Sequence, residues 1–168
     1  MKHIILLGLV IPFLSCLNPF APSLDRGMET GLVLTEQQSP EEVLENFTYA
    51  YNLKDSLVYA ELLDSSFVFV YFDPNLGTSG RFISWNRDTD LKTTGRLFRN
   101  FQTITLTWNH TIYEDREEDR AELSKTLNLN LFGEGGDFAL TGSAIFNFVK
   151  SPYDQRWRIS RWKDESHI

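Results

Sequence analysis

Hydrophobic and polar residues recur with two different periods from Ser39 onward, and the change of period divides the chain into a helical part and a sheet part. Val43, Leu44, Phe47, Ala50 and Tyr51 fall at helical spacing, so a first helix should bury one stripe. Its start is written in Ser39-Pro40-Glu41-Glu42: a capping serine, a proline at the first helical position and a glutamate three residues after the cap. Asn52 to Asp55 interrupts the stripe, and Asp55 can cap a second helix with Val58, Tyr59, Leu62 and Leu63 inward. Phe67 to Phe72 is a continuous β-branched and aromatic run stopped by Asp73-Pro74-Asn75, the signature of a strand ended by a turn. A third helix is expected from about Ser84 to Asn100, with Trp85, Leu91 and Phe98 inward.

After Phe101 the period falls to 2. Ile104, Leu106, Trp108, His110 and Ile112 alternate with threonines and Asn109, which predicts a strand with one covered face. Ala121, Leu123, Lys125, Leu127, Leu129 and Leu131 repeat the pattern beyond a charged tip from Glu114 to Arg120. Phe138, Leu140, Gly142, Ala144, Phe146 and Phe148 form a third face after the turn Gly133 to Gly136, and Trp157 and Ile159 open a fourth. Trp162 follows Ile159 by three residues, so a bulge near Ser160 or Arg161 should return Trp162 and Asp164 to the inner face. Matching the covered faces sets Lys125 opposite Trp108 on one side and beside Ala144 on the other, with Asp164 opposite Gly142. The order of elements is that of an α+β domain with helices on one face of a curved antiparallel sheet.

The segment before Ser39 has a different character. A short basic start, Met1 to His3, precedes the apolar run Ile4 to Leu14, too short for the roughly 20 residues a spanning helix needs. The run ends in Phe13-Leu14-Ser15-Cys16, which resembles a bacterial lipobox and implies cleavage after residue 15 with a lipid on Cys16. Two or more acyl chains would hold the protein at the membrane, facing the periplasm or the exterior of a bacterial cell envelope. Residues 16–38, broken by Pro19, Pro22, Gly27 and Gly31, are expected to be a tether with a reach of roughly 25 Å, and 39–168 to be one domain.

Composition narrows the function. The chain has 168 residues, 42% of them hydrophobic, with thirteen Phe and four Trp, so it can bury a full core. Sixteen basic against 23 acidic residues, a formal charge of -7, argue against nucleic acid as a partner. One cysteine and three scattered histidines make neither a disulfide framework nor a metal centre, and nothing implies a cofactor. The glycine turn leads into a strand and offers no helix N-terminus to a phosphate. The Thr, Ser and Asn residues of the outer sheet face suggest a monomer, while Arg156, Arg158, Arg161 and Lys163 collect positive charge on the last strand.

The opening Ser39 to Leu63, its polar break at Asn52-Leu53-Lys54-Asp55 and the run Leu62-Leu63-Asp64-Ser65-Ser66-Phe67 resemble the nuclear transport factor 2-like superfamily, also called SnoaL-like. The resemblance covers about Ser39 to Asp164 and implies a cone-shaped sheet with three helices on its concave face and a ligand pocket at the mouth. Polar residues within the apolar alternation are then the candidates: Lys125, Asp164 and His110, roofed by Trp108, Trp162 and Tyr51. The functional reading makes Lys125 and Asp164 the polar end of a pocket for a small apolar or amphipathic ligand. The structural reading lets Lys125 run to water, leaves Asp164 solvated and makes His110 a hydrogen-bonded core residue. No residue carries a catalytic assignment. The superfamily includes isomerases, dehydratases and non-catalytic binding modules, so a lyase or isomerase and a scaffold with a filled cone stand as alternatives.

Overall fold

A computed structural model describes residues 33–166, and the signal segment and Cys16 lie outside the described residues. Helix α1 (Pro40–Asn52) begins where the capping sequence stands: the Ser39 hydroxyl accepts the Glu42 N–H, and the Glu42 carboxylate accepts the Gln38 N–H at 2.7 Å. Lys54 takes a left-handed backbone (φ 58°), and its ammonium donates to the carbonyls of Phe101 and Gln102. Asp55 then caps α2 (Ser56–Leu62) by accepting the N–H groups of Leu57 and Val58.

Strand β1 (Leu63–Asp73) follows without a loop, returns through a turn to β2 (Arg81–Asn86), and leads into α3 (Arg87–Asn100). The strand β2 replaces the expected first turn of the third helix. Asn86 is the cap, accepting the Thr89 N–H, so the helix starts at Arg87 and Trp85 points inward from a strand. The rest is β3 (Thr103–Arg116), β4 (Arg120–Phe132), β5 (Phe138–Lys150) and β6 (Trp157–Asp164). These form one sheet in the order β2-β1-β6-β5-β4-β3, antiparallel except for the parallel pair β1 and β6. The architecture is the expected α+β cone, three helices against the concave face of a curved sheet.

The registers are partly as expected. Lys125 pairs with Ala144, and an irregularity between Asn147 and Phe148 leaves Ser160 as the extra residue of β6, which returns Trp162 to the inner face. Two expectations are corrected. Trp108 pairs with Leu127, and a bulge before Thr111 makes Thr111 the partner of Lys125. Asp164 pairs with Ala144, not Gly142; a Cβ at Gly142 would run into Ser166, so the space that glycine leaves is taken by that serine. The folded body begins before the expected boundary at Ser39. Gln37 is buried and exchanges hydrogen bonds with the backbone of Trp157, and Thr35 exchanges two with the Asn46 side chain, so Thr35 to Gln38 belong to the folded body.

Candidate functional site

The concave face is filled by aromatic rings. Phe47, fully buried on α1, stacks on Tyr51 at 4.7 Å between centroids and meets Tyr59, Trp108, Phe146 and Trp162 at 5.4 to 6.0 Å. A ring so surrounded leaves no deep cavity at the centre of the cone. Trp108 is tied in by its indole N–H, which donates to the Leu44 carbonyl at 3.1 Å.

This filling separates the predicted polar pair. Lys125 and Asp164 flank Ala144 on neighbouring strands, about 10 Å apart across two strand spacings. Phe47 and the rings around it stand over that span, and Lys125 turns instead to the Thr111 hydroxyl at 3.0 Å. Lys125 lines a groove of about 490 Å³ outside α1, with Val33, Leu34, Tyr49 and Trp108. His110 is corrected more sharply. The bulge after Trp108 carries β3 away from the core, and His110 is exposed, held by its backbone N–H to Thr126 Oγ1 at 2.9 Å.

Asp164 lies elsewhere, at an opening built by strand divergence. Pairing of β1 with β6 stops at Val70 and Lys163. Beyond it β1 stays with β2 to Asp73, while the chain after β6 stays with β5 through a Glu165 N–H to Ser143 carbonyl bond of 2.9 Å. The two halves of the sheet part around a cleft of about 730 Å³, whose walls include Tyr71, Phe72, Phe82, Asp73, Asp164 and Lys163. The Asp164 carboxylate is oriented by the Ser166 N–H at 2.9 Å, and that of Asp73 by the Asn75 N–H at 2.9 Å. Lys163 places its ammonium 5.4 Å from the centroid of Phe82 and 2.7 Å from the Glu165 carboxylate. Trp162 Nε1 and Ser166 Oγ are buried and have no hydrogen-bond partner among the described residues.

One buried polar group lies outside the predicted set. Asp90 on α3 is 2% exposed and accepts the Tyr59 hydroxyl at 2.6 Å and the Trp85 indole N–H at 2.9 Å. Burial pushes its carboxyl up from the ordinary carboxylate range, against the opposing pull of those two donors. Burial also raises the Tyr51 and Tyr59 phenols. The Asp90 charge adds to both and the Asp164 charge to Tyr51, while hydrogen bonding to Thr94 draws both partly back. The available signal was helical spacing: Asp90, Thr94, Leu97 and Phe98 share one face of α3, so a carboxylate heads an otherwise inward stripe. Chemically the group could hold a proton, but both its oxygens are engaged and it lines neither the groove outside α1 nor the cleft beside Asp164.

The basic strip of β6 is largely neutralised. Arg156 pairs with Glu36 at 3.4 Å, Arg158 with Asp154 at 2.5 Å and Lys163 with Glu165. The Arg158 guanidinium holds the Asp154 carboxyl well below the usual range. Among the described residues no cluster of His, Cys, Asp and Glu is suited to a metal ion, and no helix is long and apolar enough to cross a membrane.

No protein-family model matches the chain, and no curated protein matches it. Solved structures do. A nuclear transport factor 2-like superfamily protein from Salmonella enterica serovar Typhimurium superposes with a TM-score of 0.61 at 14% identity, over 76% of this chain and 87% of that one. A protein from Novosphingobium aromaticivorans provisionally assigned as a scytalone dehydratase gives 0.62 at 18% identity, over 76% and 81%. A conserved protein from Planctomyces limnophilus gives 0.64 at 16% identity, over 76% and 92%. At these identities the likeness is one of fold, and the fold of this chain is that of the nuclear transport factor 2-like proteins.

Proposed function

We propose that this chain is a non-catalytic binding protein of a bacterial cell envelope, held to the membrane by lipid on Cys16. Its folded domain takes a small amphipathic ligand at the rim of the cone. The observation that carries the reading is the contrast between a cone centre occupied by Phe47 and its ring neighbours and an open cleft of about 730 Å³ beside Asp164. A cleft of that size, with aromatic walls and few polar groups, suits a small organic ligand. A lipid anchor is compatible with the geometry, since about twenty residues separate Cys16 from Thr35, where hydrogen bonds tie the chain into the folded body. The polar outer face of β3 to β5 supports a monomer.

A lyase or isomerase is the second reading, favoured by the buried Asp90 between two tyrosines and an indole. Catalysis there would require the helices to open, since substrate must come within hydrogen-bond reach of an acid or base.

Intact-mass spectrometry of the natively purified full chain tests the main reading. The expected result is a mature polypeptide beginning at Cys16 with added acyl mass, together with a small molecule released on denaturation. A polypeptide starting beyond Cys16 without lipid overturns the anchor. A ligand footprint on Asp90 and Tyr51 in place of Asp164 and Tyr71 overturns the rim in favour of the enzyme.

A further inference from the structure

The rim cleft has a charge preference built into its walls. Asp73 and Asp164 stand on opposite sides of the parting between β1 and β6. Each has one oxygen held by a backbone N–H two residues on, while the other oxygen has no protein donor among the described residues. Both side chains are partly buried, so a carboxylate there is less hydrated than at an open surface and gains more from a cation. Glu165 adds a third negative charge and Lys163 a single positive one, and these two already face each other at 2.7 Å. An anion entering the cleft would meet two uncompensated carboxylates.

The aromatic wall completes the pattern. Tyr71, Phe72 and Phe82 line the cleft, and the Phe72 ring lies across Gly80, where a side chain would displace it. The protein's own ammonium shows what such a wall accepts: Lys163 rests over the Phe82 ring with a carboxylate beside it. The buried Ser166 hydroxyl on the same cleft, without a partner among the described residues, offers a neutral polar contact close to Asp164.

Resting on the rim-cleft reading above, we propose that the ligand is a cation: an ammonium-bearing molecule with an aromatic or flat apolar body and a neutral hydrogen-bond acceptor near the charge. The ammonium sits between Asp164 and Asp73, the body lies on Tyr71, which shares their face of the sheet, and the acceptor meets the Ser166 hydroxyl. Its selectivity comes from charge and ring contact together, since either alone is weak in water.

Three probes of similar shape test this on the full chain by titration of tryptophan fluorescence, with Trp85 and Trp162 packed behind the cleft. They are choline phenyl ether, a permanent cation; 3,3-dimethylbutyl phenyl ether, its neutral carbon isostere; and phenoxyacetate, an anion. The expected result is saturable binding of the cation, at least tenfold tighter than either of the others and weakened by salt. Asp164→Asn and Asp73→Asn keep an oxygen for the backbone N–H and should each weaken the cation about fivefold or more. They should leave the neutral probe unchanged, with unaltered circular dichroism as the check on folding. Equal binding of all three probes overturns the cation and leaves the rim cleft standing. A cation preference that ignores both variants overturns the placement between Asp164 and Asp73. No binding by any probe, in a protein that also releases no small molecule on denaturation, overturns both readings.

Discussion

Asp90 and Asp164 are carboxylates on the same side of the sheet, and each reaches the Tyr51 phenol electrostatically. Their surroundings differ in one respect that decides their use. Around Asp90 both carboxylate oxygens have protein donors: α2 brings the Tyr59 hydroxyl and β2 brings the Trp85 indole. Around Asp164 the sheet comes apart, one oxygen is fixed by the chain's own backbone, and the other faces the cleft. A group whose bonds are completed by the protein serves the fold. A group oriented by the protein but left incomplete is prepared for something else. The helix side is thus a sealed polar clasp, and the rim of the sheet is an open one.

Variants can break this comparison, and the largest effect belongs to the packing that creates it. Phe47→Ala removes the ring against which Tyr51, Tyr59, Trp108, Phe146 and Trp162 all pack, and should cost about 3 to 5 kcal/mol in denaturant unfolding. A loss below about 1 kcal/mol would mean that the cone is not held by this ring. Asp90→Ala strands the Tyr59 hydroxyl and Trp85 indole in the interior and should cost about 2 to 3 kcal/mol, measured the same way. Ser39→Ala, which removes the α1 cap, should cost about 1 kcal/mol and leave ligand binding alone.

A pH series sharpens the comparison. The Asp90 carboxyl is raised above 3.8 in the folded state, so the folded protein keeps a proton that the unfolded chain has already released. Its contribution is complete below 3.8 and declines as pH rises through the folded value. The stability of the native chain relative to Asp90→Asn should therefore fall as pH rises above about 4 in paired urea titrations. A difference that stays flat, or grows with pH, would show that the carboxyl is not raised. The smallest effect is expected at the rim: Asp164→Asn should change stability by less than about 0.5 kcal/mol, because it removes charge from a partly exposed group and keeps its backbone bond.

The legible parts of the fold were those written in local chemistry. Ser39, Pro40 and Glu42 mark α1 by satisfying its first N–H groups, Asp55 does the same for α2, and the three-residue step from Ile159 to Trp162 exposes the β6 bulge. What escaped depended on partners distant in sequence. Arg81 to Asn86 is short, and its strand formers Phe82, Ile83 and Trp85 follow no clean alternation; it is a strand because β1 supplies its ladder. The bulge after Trp108 leaves no mark on an unbroken alternation, so Lys125 gained the wrong partner and His110 the wrong face. Asp164 was found as a polar residue on a covered face. The cleft beside it was not, because it comes from strands separating rather than from any residue type. Asp90 was hidden for a related reason: a lone acid in a charged helix looks solvated until two donors arrive from other elements.

The parallel pairing of β1 with β6 has one more implication. The strand joining the β2-β1 hairpin to the β5-β4-β3 meander is β6, the last in chain order among the described residues. Until Trp157 to Asp164 arrives, Phe67 and Phe69 have no neighbouring strand on that side, and the body must wait as two incomplete pieces. Closure over so long a separation is slow by its topology. Docking of β6 is therefore the late step that joins two half-sheets into one body.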